Sequence, residues 1–407
     1  METKLDMHTR RSLLKSFYDR YQKCGRKEKG ALLDDFIAHT GHNRKYVIAQ
    51  LNSKELLKKN LKQSRTKKSF YDEPIVTALK IIWEIFDESC GQRLTHQIQN
   101  ELDRLIGFGE LTITEEERLK LLKISSTTID RKLKKHKKEK IRAAHGTTRP
   151  GTFLKSKIPV RLTWNTNNVG YQEMDLVAHN GGNPYGQFIN TLSVTDIAIQ
   201  WWEGEAIMGK SAYVVNEGIK EIRKRLPFSI TGVDSDTGAE FINHLLYKYC
   251  QDEDIEFTRG RAYHKNDNAH VEQKNWTHVR KMLGNNRFDT TAEQLILNHL
   301  YRNELRLYKN FFQVTYKLES KEWIHGKRKR QYEKQLKTPF KRLLESEQIT
   351  DIEKQELKDI YLTLNPADLK RRIDKTIDAL RQVHSKKTDL RNMLKTLQQN
   401  PQRKEVS

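Results

Sequence analysis

Three acidic residues occupy positions where this sequence could do chemistry. Asp175 lies in Glu173-Met174-Asp175-Leu176-Val177, flanked by apolar residues in a segment of strand character. A carboxylate buried in a strand is costly unless it is paired or bound to a cation. Asp236 stands in Asp234-Ser235-Asp236-Thr237-Gly238-Ala239-Glu240-Phe241, just after a predicted strand at 229–233. Sites in open α/β sheets form beyond the carboxyl ends of strands. Glu272 opens a predicted helix, and 35 residues separate it from Asp236. Singly, each acid has a plainer role as an edge residue, a turn former or a partner of the helix dipole. Together, on a strand, a loop and a helix, they can converge. Clustered carboxylates repel one another and raise each other's pKa, and hard divalent cations relieve that repulsion. Oxygen donors without His or Cys favour Mg²⁺ over Zn²⁺. Two such ions roughly 3.5–4 Å apart suit the in-line displacement of a phosphodiester.

The elements that must position these acids are legible around them. Strand character appears at 170–179, 186–195 and 197–203, with a tight connection near Asp196. A helix at 210–225, the strand at 229–233, a helix at 239–250, a strand at 254–258 and a helix at 268–282 follow. That order predicts a mixed α/β sheet of five strands. Of Trp201 and Trp202, one is expected in the core and one on the surface. A stretch with Gly146, Pro150 and Gly151 reads as a linker ahead of this middle region.

The flanks read as helices. Leu32, Leu33, Phe36 and Ile37 recur at helical spacing over 27–40, Gly41-His42-Asn43 breaks the pattern, and 44–51 restarts it with Tyr46, Val47 and Leu51 inward. Two helices about a short Gly-containing turn form a helix-turn-helix signature, which would present Arg44, Lys45 and Gln50 to a DNA groove. A second unit follows a Lys-, Ser- and Thr-rich linker. Thr114 and Glu117 form a capping box, and Ser125-Ser126-Thr127 opens a helix carrying Arg131, Lys132, Lys134 and Lys135. Beyond Asn286 the pattern is helical apart from an extended stretch at 311–317 and the basic run Lys327-Arg328-Lys329-Arg330. Thr290 with Glu293 and Thr350 with Glu353 are capping boxes, and Asn365-Pro366 opens a helical region to 399. Its apolar positions thin between Leu380 and Leu390, which predicts two helices or a kinked one.

Charge separates the same regions. Of 75 Lys and Arg against 53 Asp and Glu, the first 150 residues hold 33 against 20, residues 151–300 hold 16 against 18, and the remainder 26 against 15. Basic flanks around a near-neutral middle imply that the flanks grip a polyanion. Cys24, Cys90 and Cys250 lie far apart, which excludes a disulfide scaffold and a zinc knuckle of Cys spacing. No apolar run reaches the length of a spanning helix, and residues 1–10 lack the apolar core of a secretory leader. A cytoplasmic, nucleoid-associated bacterial protein without a membrane partner is expected.

The triad Asp175, Asp236 and Glu272, with its Asp-Thr-Gly-Ala-Glu-Phe segment and 35-residue spacing, resembles that of DDE transposases with a retroviral-integrase-like core. The run from Tyr263 to Asn275 is similar to the segment around the third acid in bacterial insertion-sequence transposases, the ISNCY type among them. The resemblance is specific over about residues 165–285. In the C-terminal region it rests on Thr338-Pro339-Phe340 and Leu364-Asn365-Pro366. It implies a multidomain protein: helix-turn-helix DNA-binding domains at 1–58 and 70–142, an RNase H-like catalytic core at 160–285, and a basic helical region at 286–407 for assembly or target DNA binding. The implied enzyme binds the terminal inverted repeats of its element on double-stranded DNA, cleaves at the ends and joins the freed 3′-OH to target DNA. Two Mg²⁺ ions, with Mn²⁺ as a substitute, would be held by Asp175, Asp236 and Glu272. The active species is at least a homodimer on DNA. Lys274, Arg280 and Lys281, on the Glu272 helix, are expected phosphate contacts. Asp234 competes with Asp236 for the second acid, although it leaves 37 intervening residues. Retroviral integrases begin with a His/Cys zinc module, which this sequence lacks. A DNA-binding regulator that has lost catalysis and a nuclease without strand transfer stay open as alternatives.

Overall fold

The computed structural model describes residues 7–53, 70–136, 158–159, 168–236, 238–260, 269–324 and 327–399. Two compact units meet between Asp72 and Glu73.

In the first unit, α1 (Met7–Lys23), α2 (Arg26–Thr40) and α3 (Arg44–Asn52) pack through Leu14, Tyr21, Leu33, Phe36, Val47 and Leu51. Gly41 ends α2 at φ +66°, a left-handed conformation that carries no Cβ penalty in glycine. Asn43 caps α3 by accepting from the Lys45 N–H at 2.9 Å. Tyr46 departs from the expected inward position: it is 50% exposed. Val47 and Leu51 alone supply the buried residues of α3, and the Tyr46 ring lies beside that of His42.

The second unit opens with α4 (Glu73–Ile85), α5 (Gly91–Gly107), α6 (Glu115–Leu122) and α7 (Ser126–Leu133). Thr114 and Glu117 close the capping box of α6, and Ser125 caps α7. A Cβ on Gly91 would sit 2.2 Å from the Ser126 carbonyl oxygen, so only glycine lets α5 begin this close to α7.

The sheet comprises β1 (Tyr171–Ala178), β2 (Ile189–Asp196), β3 (Trp202–Met208), β4 (Gly232–Ser235) and β5 (Glu256–Arg259), in the order β3-β2-β1-β4-β5. β2 runs antiparallel to β1 and β3, whereas β4 is parallel to β1 and β5 to β4. This is the expected five-stranded mixed sheet, consistent with an RNase H-like arrangement. α8 (Ala212–Arg223) and α9 (His244–Asp252) cover one face through Met174, Leu192, Val215, Ile219, Phe241 and Leu246. The third strand starts later than the expected 197. The Asp196 carboxylate accepts from the Ile199 N–H at 2.9 Å and its carbonyl from the Gln200 N–H at 2.9 Å, closing a turn with Gln200 at φ +64°. Trp201 and Trp202 are both buried, against the expectation of one on the surface, and their indole N–H groups reach Glu203 and Ser193.

On the sheet's other face lies α10, continuous from Ala269–Lys274 through a π-helical turn at Asn275–Arg280 to Lys281–Leu283. α11 (Thr291–Leu300) packs against β3, where Asn298 bonds both the N–H and the carbonyl of Ala206. The chain beyond 286 is therefore part of the same compact unit as the sheet. It is also not wholly helical: β6 (Leu318–Ile324) and β7 (Lys327–Tyr332) form an antiparallel ribbon. Dense charge in these strands hides the alternation that marks a half-buried strand. After α12 (Pro339–Glu345) and α13 (Asp351–Thr363), one helix, α14, runs over Pro366–Gln399 instead of two separate helices. Leu369, Ile373, Ile377 and Leu380 are buried, whereas Leu390, Met393 and Leu394 are exposed. The thinning of apolar positions thus marks where packing stops, while the backbone hydrogen bonds run on. Among the described residues, no helix is long and apolar enough to cross a membrane.

Candidate active site

Asp175 sits on β1, whose residues alternate between the two sheet faces. Its Oδ1 accepts from the Leu176 N–H at 2.8 Å, and its Oδ2 accepts from Asn275 Nδ2 at 2.7 Å. Burial, together with the negative charges of Asp236 and Glu272, pushes its pKa up to about 7 against the pull of those two bonds. Asp175 thus feels the charge of two acids far away in the chain. The register explains how: Met174 pairs with Ser235, so Asp236 emerges one step beyond the paired end of β4, alongside Asp175.

Asp236 accepts from the Gly238 N–H at 2.9 Å through Oδ1. Burial raises its pKa, the Gly238 bond opposes this, and the Glu240 carboxylate adds to the rise. Lys210 Nζ lies 3.7 Å from Glu240 Oε1 and partly offsets that charge. A Cβ on Gly238 would fall 2.7 Å from the Glu240 carboxyl carbon and 2.9 Å from Asp236 Oδ1, so the loop is tight here. Asp234 has a different setting. It is fully buried within β4, in register with Glu173 and Thr258, and accepts from Thr258 Oγ1 at 2.6 Å. It belongs to the interior of the sheet.

Glu272 is exposed in the first turn of α10. The start of that helix is held by Glu173, which is fully buried and whose Oε2 accepts from the His270 N–H at 3.1 Å and the Val271 N–H at 3.0 Å. First-turn amides lack partners within their own helix, and a carboxylate there also complements the helix dipole. Glu173 and Asp175 are two residues apart and share a strand face. One face of β1 thus offers a site acid and anchors the helix that carries another. Sequence reasoning singled out neither Glu173 nor Asn275. The signals were available: Glu173 shares the alternation of Asp175, and Asn275 falls one turn after Glu272, where the π-helical segment begins.

Asn275 Oδ1 is buried with no donor reaching it among the described residues. Asp175 and Asn275 present oxygen donors only, the donor type that Mg²⁺ and Mn²⁺ prefer. Among the described residues, no three acidic, His or Cys side chains are gathered tightly enough to enclose one ion.

The expected phosphate contacts on α10 have different settings. Lys274 is only 3% exposed, and burial, with the charges of Arg93, Arg342 and Lys309, lowers its pKa to about 7. Arg280 donates to the Ala178 carbonyl at 2.7 Å, and Lys281 to Asp87 Oδ2 at 2.6 Å. These bonds seat α10 against its neighbours, while Lys281 itself stays exposed. In the helical units, Lys45, Arg131 and Lys135 are exposed, Gln50 and Lys132 are half-buried, and exposed Arg44 pairs with Asp34. Thr237 and the loop 261–268 lie outside the described residues.

No family model matches the sequence. Over 337 residues the chain is 34% identical to "Uncharacterized protein y4rM" of Sinorhizobium fredii (strain NBRC 101917 / NGR234), a span of 82% of this chain and 94% of that protein. The chain belongs to the y4rM family. A match of that length reaches well beyond the sheet and α10, so the family likeness takes in flanking helices as well. Among solved structures, the catalytic core domain of BIV integrase is similar at a TM-score of 0.26 and 17% identity, covering 35% of this chain and 83% of that one. The HTLV-2 integrase catalytic core domain in complex with magnesium is similar at a TM-score of 0.27 and 11% identity. Its dimeric form covers 36% of this chain and 90% of its own. Its trimeric form covers 40% and 92%.

Proposed function

We propose that this y4rM-family protein is a polynucleotidyl transferase acting on DNA, and specifically an insertion-sequence transposase of the DDE type. The observation that carries the reading is geometric: the pairing of Met174 with Ser235 sets Asp236 beside the strand of Asp175, and the Asn275–Asp175 bond ties the helix of Glu272 to that strand. Acids that approach one another from a strand, a strand end and a helix cost free energy by repulsion, which a bound cation would relieve.

In this reading Asp175, Asp236 and Glu272 hold two Mg²⁺ ions, with Mn²⁺ as a substitute. When bound, the ions supply positive charge to the attacking and leaving oxygens of a phosphodiester. The chain's own residues do the positioning. Glu173 fixes the start of α10 and with it the place of Glu272, and Asn275 orients the Asp175 carboxylate. Gly238 gives Asp236 its backbone donor. The helix-turn-helix units, through α3 and α7, read the terminal inverted repeats, with Arg44, Lys45, Gln50, Arg131, Lys132 and Lys135 as their contact residues. Each active site handles one DNA end, so joining two ends takes at least a dimer, working on the chromosome in the bacterial cytoplasm.

The test uses DNA from the two flanks of the reading frame, with exposed 3′-OH ends, plus plasmid and Mg²⁺. The wild-type protein should link these ends covalently to the plasmid, whereas Asp236→Asn should bind the same DNA and link none. Joining by Asp236→Asn would mean that the wrong carboxylate has been chosen. Wild-type binding without cleavage would identify a regulator, and cleavage without joining a nuclease.

A further inference from the structure

We propose that the β6–β7 ribbon grips the phosphates of duplex DNA without reading its sequence. The inference rests on the reading of this protein as a DNA-processing enzyme and assigns it a contact element outside the acidic site. From Lys317 to Lys334 the sequence carries seven Lys and Arg residues against three acids. Among the described residues β6 and β7 pair with each other alone, Lys321 opposite Arg330, Glu322 opposite Lys329, Trp323 opposite Arg328 and Ile324 opposite Lys327. Among the described residues from 319 to 335 none is buried, and Lys329 and Arg330 are exposed. A two-stranded ribbon whose described side chains are none of them buried is marginally stable by itself. Four consecutive cations on β7 add mutual repulsion to that deficit. A polyanion laid along the ribbon removes both costs.

The root of the ribbon is firmly held, as a projecting contact element requires. The Thr315 N–H donates to the Lys337 carbonyl at 3.0 Å, and Arg342 donates to Thr315 Oγ1 at 2.6 Å and to Glu333 Oε2 at 2.7 Å. Glu333 is therefore already neutralised and does not offset the cations of β7. Gln200 Nε2 donates to the Tyr316 carbonyl at 2.9 Å, which joins the root to the β2–β3 turn. At about 3.3 Å per residue, the six residues of β7 span about 20 Å. The major groove of B-DNA, about 12 Å wide, admits a two-stranded ribbon. The partner fitted is duplex DNA, and the contacts are to its backbone, because Lys and Arg in a run supply charge with no fixed hydrogen-bond pattern for base edges.

The experiment measures fluorescence anisotropy of the full-length protein on a labelled 30-base-pair duplex of arbitrary sequence over a salt series. In Lys327→Gln/Arg328→Gln/Lys329→Gln/Arg330→Gln, affinity should fall at least ~10-fold, and the slope of log K against log salt should shrink by about two to four. Lys329→Arg/Arg330→Lys, which keeps the charge, should bind like wild type. Should the glutamine variant fail to fold, acetylation of wild-type lysines reads the same contact: duplex DNA should protect Lys327 and Lys329. Unchanged affinity and slope in the folded variant, or no protection in the wild type, overturns the inference while leaving the transposase reading intact. Tighter binding of single-stranded RNA of the same length, lost in the glutamine variant, overturns the choice of duplex DNA. Absence of any duplex binding by wild type defeats both readings together.

Discussion

Asn275 Nδ2 donates to Asp175 Oδ2 at 2.7 Å, bridging 100 positions of sequence and tying the helix of Glu272 to the strand of Asp175. Asn275→Ala removes that donor and leaves the Asp175 carboxylate less supported among its acidic neighbours. Partners of this kind, one step removed from a metal, typically contribute 10- to 100-fold, so a loss of about that size is expected in Mg²⁺-dependent joining. Asn275→Asp, which adds a fourth negative charge, should lose more. Joining rates for the two variants beside wild type measure this, and an unimpaired alanine variant would show the amide to be idle.

Glu173 is the anchor of α10. In Glu173→Ala the half-buried amide of His270 and the buried amide of Val271 lose their acceptor, a cost of about 1–3 kcal/mol for the buried one. Urea unfolding should record the drop. Glu173→Gln keeps an acceptor oxygen and should recover part of it. Equal losses in both variants would assign the effect to the negative charge at the helix N-terminus.

Gly238→Ala should separate activity from stability. The new Cβ would meet the ends of the Glu240 and Asp236 side chains, at 2.7 and 2.9 Å, with no backbone atom among the nearest contacts. Side-chain ends can move, so unfolding free energy should change by less than about 1 kcal/mol. The carboxylate of Asp236 must move with them, so joining should fall sharply. A variant that joins normally would show that the placement of Asp236 is not tight.

Glu101 gives the second unit a pH dependence. It is 4% exposed on α5 and accepts from Tyr361 Oη on α13 at 2.7 Å and from Arg104 Nε at 3.0 Å. Burial nonetheless pushes its pKa up from 4.5 to about 7. Between those values the folded chain keeps a proton that the unfolded chain has lost. The stabilisation linked to this proton is fully present below about 4.5 and is lost as pH rises towards about 7. Glu101→Gln, neutral throughout, should flatten that decline by about 1–3 kcal/mol. Unfolding free energies at pH 5 and pH 8 decide it, and parallel slopes in the two proteins would exclude Glu101 as the cause.

The features legible in the sequence are those whose cause is local. Thr114 with Glu117, Thr290 with Glu293 and Thr350 with Glu353 all close capping boxes, because both partners lie within one helical turn. The order of strands and helices around the acids followed from periodicity, and the three candidate acids stood out because one is set in an apolar strand, one after a strand and one at a helix start. The spacing alone left Asp234 and Asp236 in competition. The register of β4 against β1 and β5 separated them, with Asp234 inside the sheet and Asp236 at its end.

Tertiary structure decided everything that depends on a distant partner. Lys281 reads in sequence as a solvated cation, and only folding sets Asp87, 194 positions away, against it. Lys274 looks the same until its helix face proves to be buried. The start of β3 depends on where the Asp196 side chain points, and the role of Glu173 on which helix end lies above it. A charged side chain reads alike in sequence whether it faces water or a partner. Its role is set by desolvation and by the charges folding brings near, and both arise only once the chain has closed on itself.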